Sequence, residues 1–237
     1  MSQSHRQPGP YALTGLACLF LCTAQAQVSG SAGLVSDHMY RGMSLSSGKP
    51  AARLSLDIDD ASGWFAGGQV VSGQLAMQSH RTAQWLGYAG YARRLESGLS
   101  WEAGISAYAF HGVPGWNFRE VFAGLSFDNY SARLHYAPDY LGFRERTLYA
   151  ELNGGGALTQ DWRYFWRAGY LSAPGNADSS RAEGRLGIGT SLAGWQVQLS
   201  IEAARLRGRG GYDAYGRPLA VSGQVRGKTV LGVARGF

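Results

Sequence analysis

Ala52-Arg53-Leu54-Ser55-Leu56-Asp57-Ile58-Asp59 alternates apolar and polar residues, passes through Asp60-Ala61-Ser62-Gly63, and restarts at Trp64-Phe65-Ala66-Gly67. Successive side chains of a β-strand point to opposite faces. Ala52, Leu54, Leu56 and Ile58 therefore form one face, and Arg53, Ser55, Asp57 and Asp59 the other. The design recurs from Leu99 to Ala107 and from Trp195 to Ala203. A soluble sandwich shows the same period with its apolar face inward, so alternation alone does not choose between architectures. The connections do.

Short connections fall at Asp60–Gly63, Glu96–Gly98, Asp128–Asn129, Leu158–Asp161 and Leu192–Gly194. Long ones surround Gly42 to Lys49, Gly73 to Arg81, His111 to Asn117, Asp139 to Arg146, Leu171 to Ser180 and Leu206 to Ala220. Tight turns on one side, longer loops on the other and an even strand number mark outer-membrane barrels. The sequence predicts an all-β, antiparallel, up-and-down transmembrane barrel of about twelve strands. Ten is the alternative if the first or fourth assigned strand fails. That fourth strand, around Gln84 to Ala92, is apolar on both faces, which leaves its orientation open.

Each strand leaving a tight turn opens with an outward aromatic: Trp64, Trp101, Tyr130, Trp162 and Trp195. Such rings favour the headgroup level, where the ring leaves water and its polar atom stays hydrated, so these five are expected to form a girdle. A second girdle is expected from Phe110, Trp116, Tyr136, Tyr140, Phe143 and Tyr170.

Composition agrees. Charged residues are 16% of 237, against roughly 25% in soluble domains, while the 35 glycines are about double average usage. Beyond the N-terminus no stretch approaches the roughly 18 apolar residues of a membrane helix. Residues 1–26 read as a secretory signal peptide, with Arg6, an apolar run from Tyr11 to Cys22 and a small-x-small site at Ala24-Gln25-Ala26. Residues 27–237 are then the barrel. Both cysteines, Cys18 and Cys22, lie in the leader, which excludes disulfides, thiol catalysis and Cys-ligated metals from the mature chain. Without Arg6, the only charged residue before Gln27, 21 basic residues stand against 16 acidic ones. They are dispersed along an exported chain, so nucleic acid is not an expected partner. Gly154-Gly155-Gly156 lacks the Lys-Ser/Thr of a phosphate cradle, and no cofactor is expected.

Ser36-Asp37-His38-Met39-Tyr40-Arg41-Gly42-Met43-Ser44, followed by Gly48-Lys49-Pro50-Ala51, resembles the opening of the TorF-type porins. In that family a first strand ends in Ser-Asp-Tyr-x-Phe-Arg-Gly, and Lys-Pro-Ala leads into the second. Ser36, Asp37, Arg41, Gly42, Lys49 and Pro50 match; His38 and Tyr40 stand where Tyr and Phe are usual. The resemblance covers roughly the first quarter of the mature chain. It implies a pore-type outer-membrane barrel of a Gram-negative bacterium, with lipids and lipopolysaccharide around it and small polar solutes inside. It does not imply a particular solute. The final strand places Val225, Leu231, Val233 and Phe237 on one face, similar to the C-terminal signal recognised by the outer-membrane insertion machinery, with Arg235 where that signal usually has an aromatic.

If the apolar faces meet lipid, parity sends Arg53, Asp57, Glu102, Glu120, Arg133, His135, Glu151, Arg163, Arg167, Glu183, Arg185, Glu202, Arg226 and Lys228 into the lumen. Such groups either leave a narrow aqueous path or pair across it and close it. The open reading is a porin for passive diffusion of small hydrophilic solutes, with a slight basic excess favouring anions. The closed reading is a plugged structural barrel. An enzyme is the rival class, with Ser36 and His38, Ser131 and His135, or His80 and His111 as candidates, but no third orienting group is evident. The loop from Arg205 to Arg217 is the most cationic connection and could meet lipopolysaccharide phosphates.

Overall fold

A computed structural model describes residues 26–74, 82–175, 179–206, 211–212, 218–219 and 225–237. Residues 1–25, which hold nearly all of the expected leader, His80, and most of the loop from Arg205 to Arg217 lie outside the described residues. So does the side chain of Arg226.

Among the described residues, twelve long strands close into one antiparallel barrel. They are β1 (Gln27–Val35), β2 (Ala51–Asp59), β3 (Trp64–Gly73), β4 (Thr82–Arg94), β5 (Ser100–Phe110) and β6 (Phe118–Phe127). The remainder are β7 (Tyr130–Ala137), β8 (Thr147–Ala157), β9 (Trp162–Ser172), β10 (Arg181–Leu192), β11 (Trp195–Leu206) and β12 (Val225–Gly236). Each strand pairs with its sequence neighbours, and β1 closes the ring on β12 from Ser31↔Gly236 to Val35↔Gly232. Phe237 completes the seam through backbone bonds in both directions with Gly30.

Apolar side chains face out. Leu54, Leu56, Ile105, Leu134, Leu152, Leu186 and Ile201 are all exposed on the outer surface, Ile201 at 64%. Their neighbours in sequence are covered: Glu120 and Glu202, one residue from Val121 and Ile201, are 2% and 7% exposed. This inverts the soluble pattern and is the arrangement a hydrocarbon surround requires, because apolar side chains cost nothing there and charged ones are expensive.

Register settles β4. It pairs Leu86 with Gln69 and Tyr108, and Tyr88 with Gly67 and Ser106. Gln84, Leu86 and Tyr88 therefore face the bore, while Trp85 and Tyr91 face out. Lumen glycines seat bulky partners from the next strand. A Cβ on Gly67 would lie 2.4 Å from the Tyr88 hydroxyl, and one on Gly187 2.4 Å from the Phe165 ring. Part of the glycine excess thus has a steric cause.

Candidate functional site

The first loop, residues 36–50, turns inward. Met39–Tyr40 pairs with Met43–Ser44 as a miniature hairpin, with Arg41 and Gly42 at φ of 45° and 77°. Two positive φ angles at the centre of a two-residue turn match the right-handed twist of a hairpin, and the second falls on glycine. A Cβ on Gly42 would lie 2.7 Å from that of Ala204 on β11, so the tip is packed against that wall.

From this tip Arg41 reaches the opposite wall. Its Nη2 donates to both Glu120 oxygens on β6, at 2.8 and 2.9 Å, and its guanidinium lies 4.2 Å from the centroid of Tyr149 on β8. Glu120 also accepts from Ser106 Oγ (3.2 Å), Tyr108 Oη (3.2 Å) and His135 Nδ1 (2.8 Å). Arg181 on β10 donates to the Arg41 carbonyl at 2.5 Å and to the Tyr140 hydroxyl at 2.9 Å. Backbone, charge and rings from five strands thus fix one hairpin across the bore.

Its base is anchored as firmly. Asp37 accepts from Ser44 Oγ (2.5 Å), Ser46 Oγ (2.8 Å) and Lys228 Nζ (2.5 Å). Burial works against this carboxylate, but the bonds from Lys228, Ser44 and Ser46 outweigh it and hold its pKa below the ordinary value. His38 Nε2 donates to Gln84 Oε1 at 2.7 Å. Burial pushes the His38 pKa down to about 4, against the raising effect of Gln84. The imidazole is neutral in this seat at pH 7. Ser36 links the loop to β12 by accepting from Leu231 N, Lys49 donates to Gln74 at 2.8 Å, and Pro50 precedes β2.

Behind the hairpin the loop side of the barrel is filled by rings. Phe110, Trp116, Phe118, Tyr140 and Leu141 are buried together with Tyr108, Tyr149 and Leu171. Phe110, Trp116 and Tyr140 therefore belong to an internal cluster and not to an outer girdle, with Phe143 packed against it; Tyr136 and Tyr170 do face out. Parity could have placed Phe110, since it shares a face with Glu102. Trp116 and Tyr140 sit in short 3₁₀ turns, Pro114–Trp116 and Tyr140–Gly142, where no period speaks.

The turn side is different. A cavity of about 680 Å³ opens there, bordered by Asn129, Thr159 and Asp161 of the turns and reaching past Arg163 to Phe165 and Arg185. Gln196, Gln198 and Ser191 line its other wall. The outer rim carries Trp64, Trp101, Tyr130, Trp162 and Trp195, all exposed, with Tyr91 between Trp64 (5.3 Å) and Trp101 (5.7 Å).

Arg53, Asp57, Glu102, Glu120, Arg133, His135, Glu151, Arg163, Arg167, Glu183, Arg185, Glu202 and Lys228 all lie on the inward parity of the observed registers. Arg133 pairs with Glu102 at 2.6 Å, Arg185 approaches Glu202 at 3.3 Å, and Arg167 approaches Glu151 at 3.9 Å. Asp57 accepts from Tyr88, and Glu183 from Tyr149 at 2.5 Å. Ser36 and His38 do not meet, since their side chains bond Leu231 and Gln84. Ser131 bonds Asn153 at 3.4 Å and His135 bonds Glu120, so that pair is apart as well. Sequence reasoning quoted Arg41 and Asp37 only as motif residues; their place in the bore follows from contacts 79 and 191 residues away, which no local pattern carries.

A model of the family described as "Bacterial protein of unknown function (Gcw_chp)" matches residues 22–203. Among solved structures, one described as "KdgM porin" is 15% identical, covers 88% of this chain and 98% of its own, and superposes with a TM-score of 0.53. The NanC porin is 13% identical with the same coverages and a TM-score of 0.53. A "KdgM porin in complex with disordered oligogalacturonate" is 13% identical, covers 89% and 98%, and scores 0.50. At such identities the likeness concerns the fold. No curated protein matches the chain.

Proposed function

The chain belongs to the Gcw_chp family of bacterial proteins, and from that premise we propose that it is an outer-membrane porin of TorF type. It carries small hydrophilic solutes by passive diffusion. One observation carries this reading: a closed twelve-strand ring with an apolar exterior whose charged interior opens into a 680 Å³ vestibule. A barrel serving only as a wall has no use for such a chamber.

In this proposal residues 1–26 are removed on export, the five turn-side aromatics anchor the barrel at one interface, and lipids and lipopolysaccharide surround it. The outward row of Val225, Leu231, Val233 and Phe237 is offered to the insertion machinery. The inward charges set a transverse field that orients polar solutes, with a modest preference for anions.

A second reading is favoured by the hairpin. The Arg41–Glu120 bridge spans the loop side of the bore and suits a plugged structural barrel. Planar-bilayer recording of refolded protein separates the two. Discrete, ion-selective channels support the porin; silence of both the wild type and an Arg41→Glu variant, at every voltage, supports the plug.

A further inference from the structure

Below the hairpin, guanidiniums gather in the bore. Arg167 on β9 and Arg185 on β10 are direct register partners, both facing the bore. Like charges directly opposite each other destabilise a sheet. Arg53 on β2 lies within electrostatic reach of both. The nearby carboxylates do not saturate Arg185 and Arg53. Arg185 Nε is buried without a hydrogen-bond partner, although Glu202 stands 3.3 Å away, and Arg53 Nε is buried and unpartnered too. Arg167 stands 3.9 Å from Glu151, with Glu183 and Glu202 within electrostatic reach, so the deficit lies at Arg185 and Arg53. Glu120, in contrast, is held by four side chains.

This group meets the vestibule at Arg185. Arg163 and Arg185 both line it, with Gln196, Gln198 and Ser191 alongside. Phe165 covers one face of Arg185 at 4.8 Å. The volume falls within the roughly 300–1,000 Å³ of small-molecule sites. A guanidinium fork matches a carboxylate or phosphate through two parallel hydrogen bonds, and amide groups suit hydroxyls.

We propose that the turn-side vestibule binds a small polyhydroxylated organic anion. Arg163 and Arg185 take its charged group, and Gln196 and Gln198 take its hydroxyls. Arg167 on the same wall and Arg53 across the bore add to the attractive potential. The site rests on the porin reading for its supply of solute, but binding itself requires no conduction.

The test is calorimetric titration of sodium gluconate into refolded barrel in neutral detergent, with sodium chloride and myo-inositol as controls. Saturable gluconate binding is expected, weaker by about tenfold in Arg185→Gln and in Arg163→Gln, the loss of roughly one charge-assisted contact. Arg93→Gln, on the outer face, should bind as the wild type does. If Arg185→Gln does not fold, Arg163→Gln at the exposed mouth decides the matter. Absence of saturable heat, equal binding of myo-inositol, or wild-type affinity in the folded variants overturns the site. Conductance of the same preparation is read separately: a silent barrel that binds gluconate sinks the porin and keeps the site, and a conducting barrel that binds nothing does the reverse.

Discussion

The two ends of the bore share one alternation and are filled in opposite ways. Toward the loops, the first loop brings Arg41 to Glu120, and a cluster of rings and leucines, Tyr108 and Leu171 among them, packs behind them. Toward the turns, Arg163 and Arg185 border an open cavity that no loop enters among the described residues. Parity decides only that a side chain faces inward. Whether it is then neutralised depends on what crosses the barrel to meet it. A buried charge with its partner removed is costly, so the loop end is rigid by construction, and the turn end, where water reaches the arginines, tolerates imbalance.

The sharpest way to break this contrast is Arg41→Glu, which sets two carboxylates against each other in the most buried part of the bore. Removing such a partnership is worth about 3–5 kcal/mol, so the hairpin should leave its seat and single-channel conductance should rise several-fold. Unchanged conductance would mean that the hairpin does not obstruct the path.

Acid should act in the same direction. His38 ordinarily titrates near 6.5 and in its seat near 4, facing Gln84, Asp37 and Arg53. Between those values the released loop binds more protons than the seated one, so the seat is fully stable above about pH 6.5 and weakens as pH falls to 4. At about 1.4 kcal/mol per unit the loss approaches 3 kcal/mol. Open probability, or protease cleavage within residues 36–50, should rise through that window. A His38→Asn variant should lack the response; if it responds equally, His38 is not the sensor.

Gly42→Ala tests the tip. A left-handed conformation costs a non-glycine residue roughly 1–2 kcal/mol, and the new methyl meets Ala204 at 2.7 Å. Cleavage of the loop should increase, less than in Arg41→Glu. Wild-type protection would show that the turn relaxes without leaving the wall.

The smallest effect is expected at the open end. Arg163→Glu with Arg167→Glu should move the reversal potential in a salt gradient toward cation preference while leaving the barrel intact. An identical reversal potential would remove both residues from the conducting path.

The twelve strands were legible because alternation, turn glycines and turn-side aromatics repeat with one meaning along the chain. Asp60-Ala61-Ser62-Gly63 before Trp64 announces a hairpin by itself. The strand from Thr82 to Arg94 was not legible, since Trp85 and Leu86, or Tyr88 and Ala89, give either face an equal claim; only pairing with β3 and β5 chose Gln84, Leu86 and Tyr88 for the interior. The expected outer ring failed at Phe110, Trp116 and Tyr140 because nearness to a loop says nothing about the side of the wall on which a ring lies.

By itself, the sequence determined an up-and-down β-barrel of about twelve strands, the inward and outward faces of all but the fourth, and the side on which its turns are tight. These are local properties, set by a two-residue period and by residues adjacent in the chain. Only the tertiary structure decided that Tyr40-Arg41-Gly42 folds into the bore, that Glu120 is its counter-charge, and that Arg163 and Arg185 border open space. Those depend on groups far apart in sequence meeting across a closed ring, and the free energy that selects them exists only once the ring has formed.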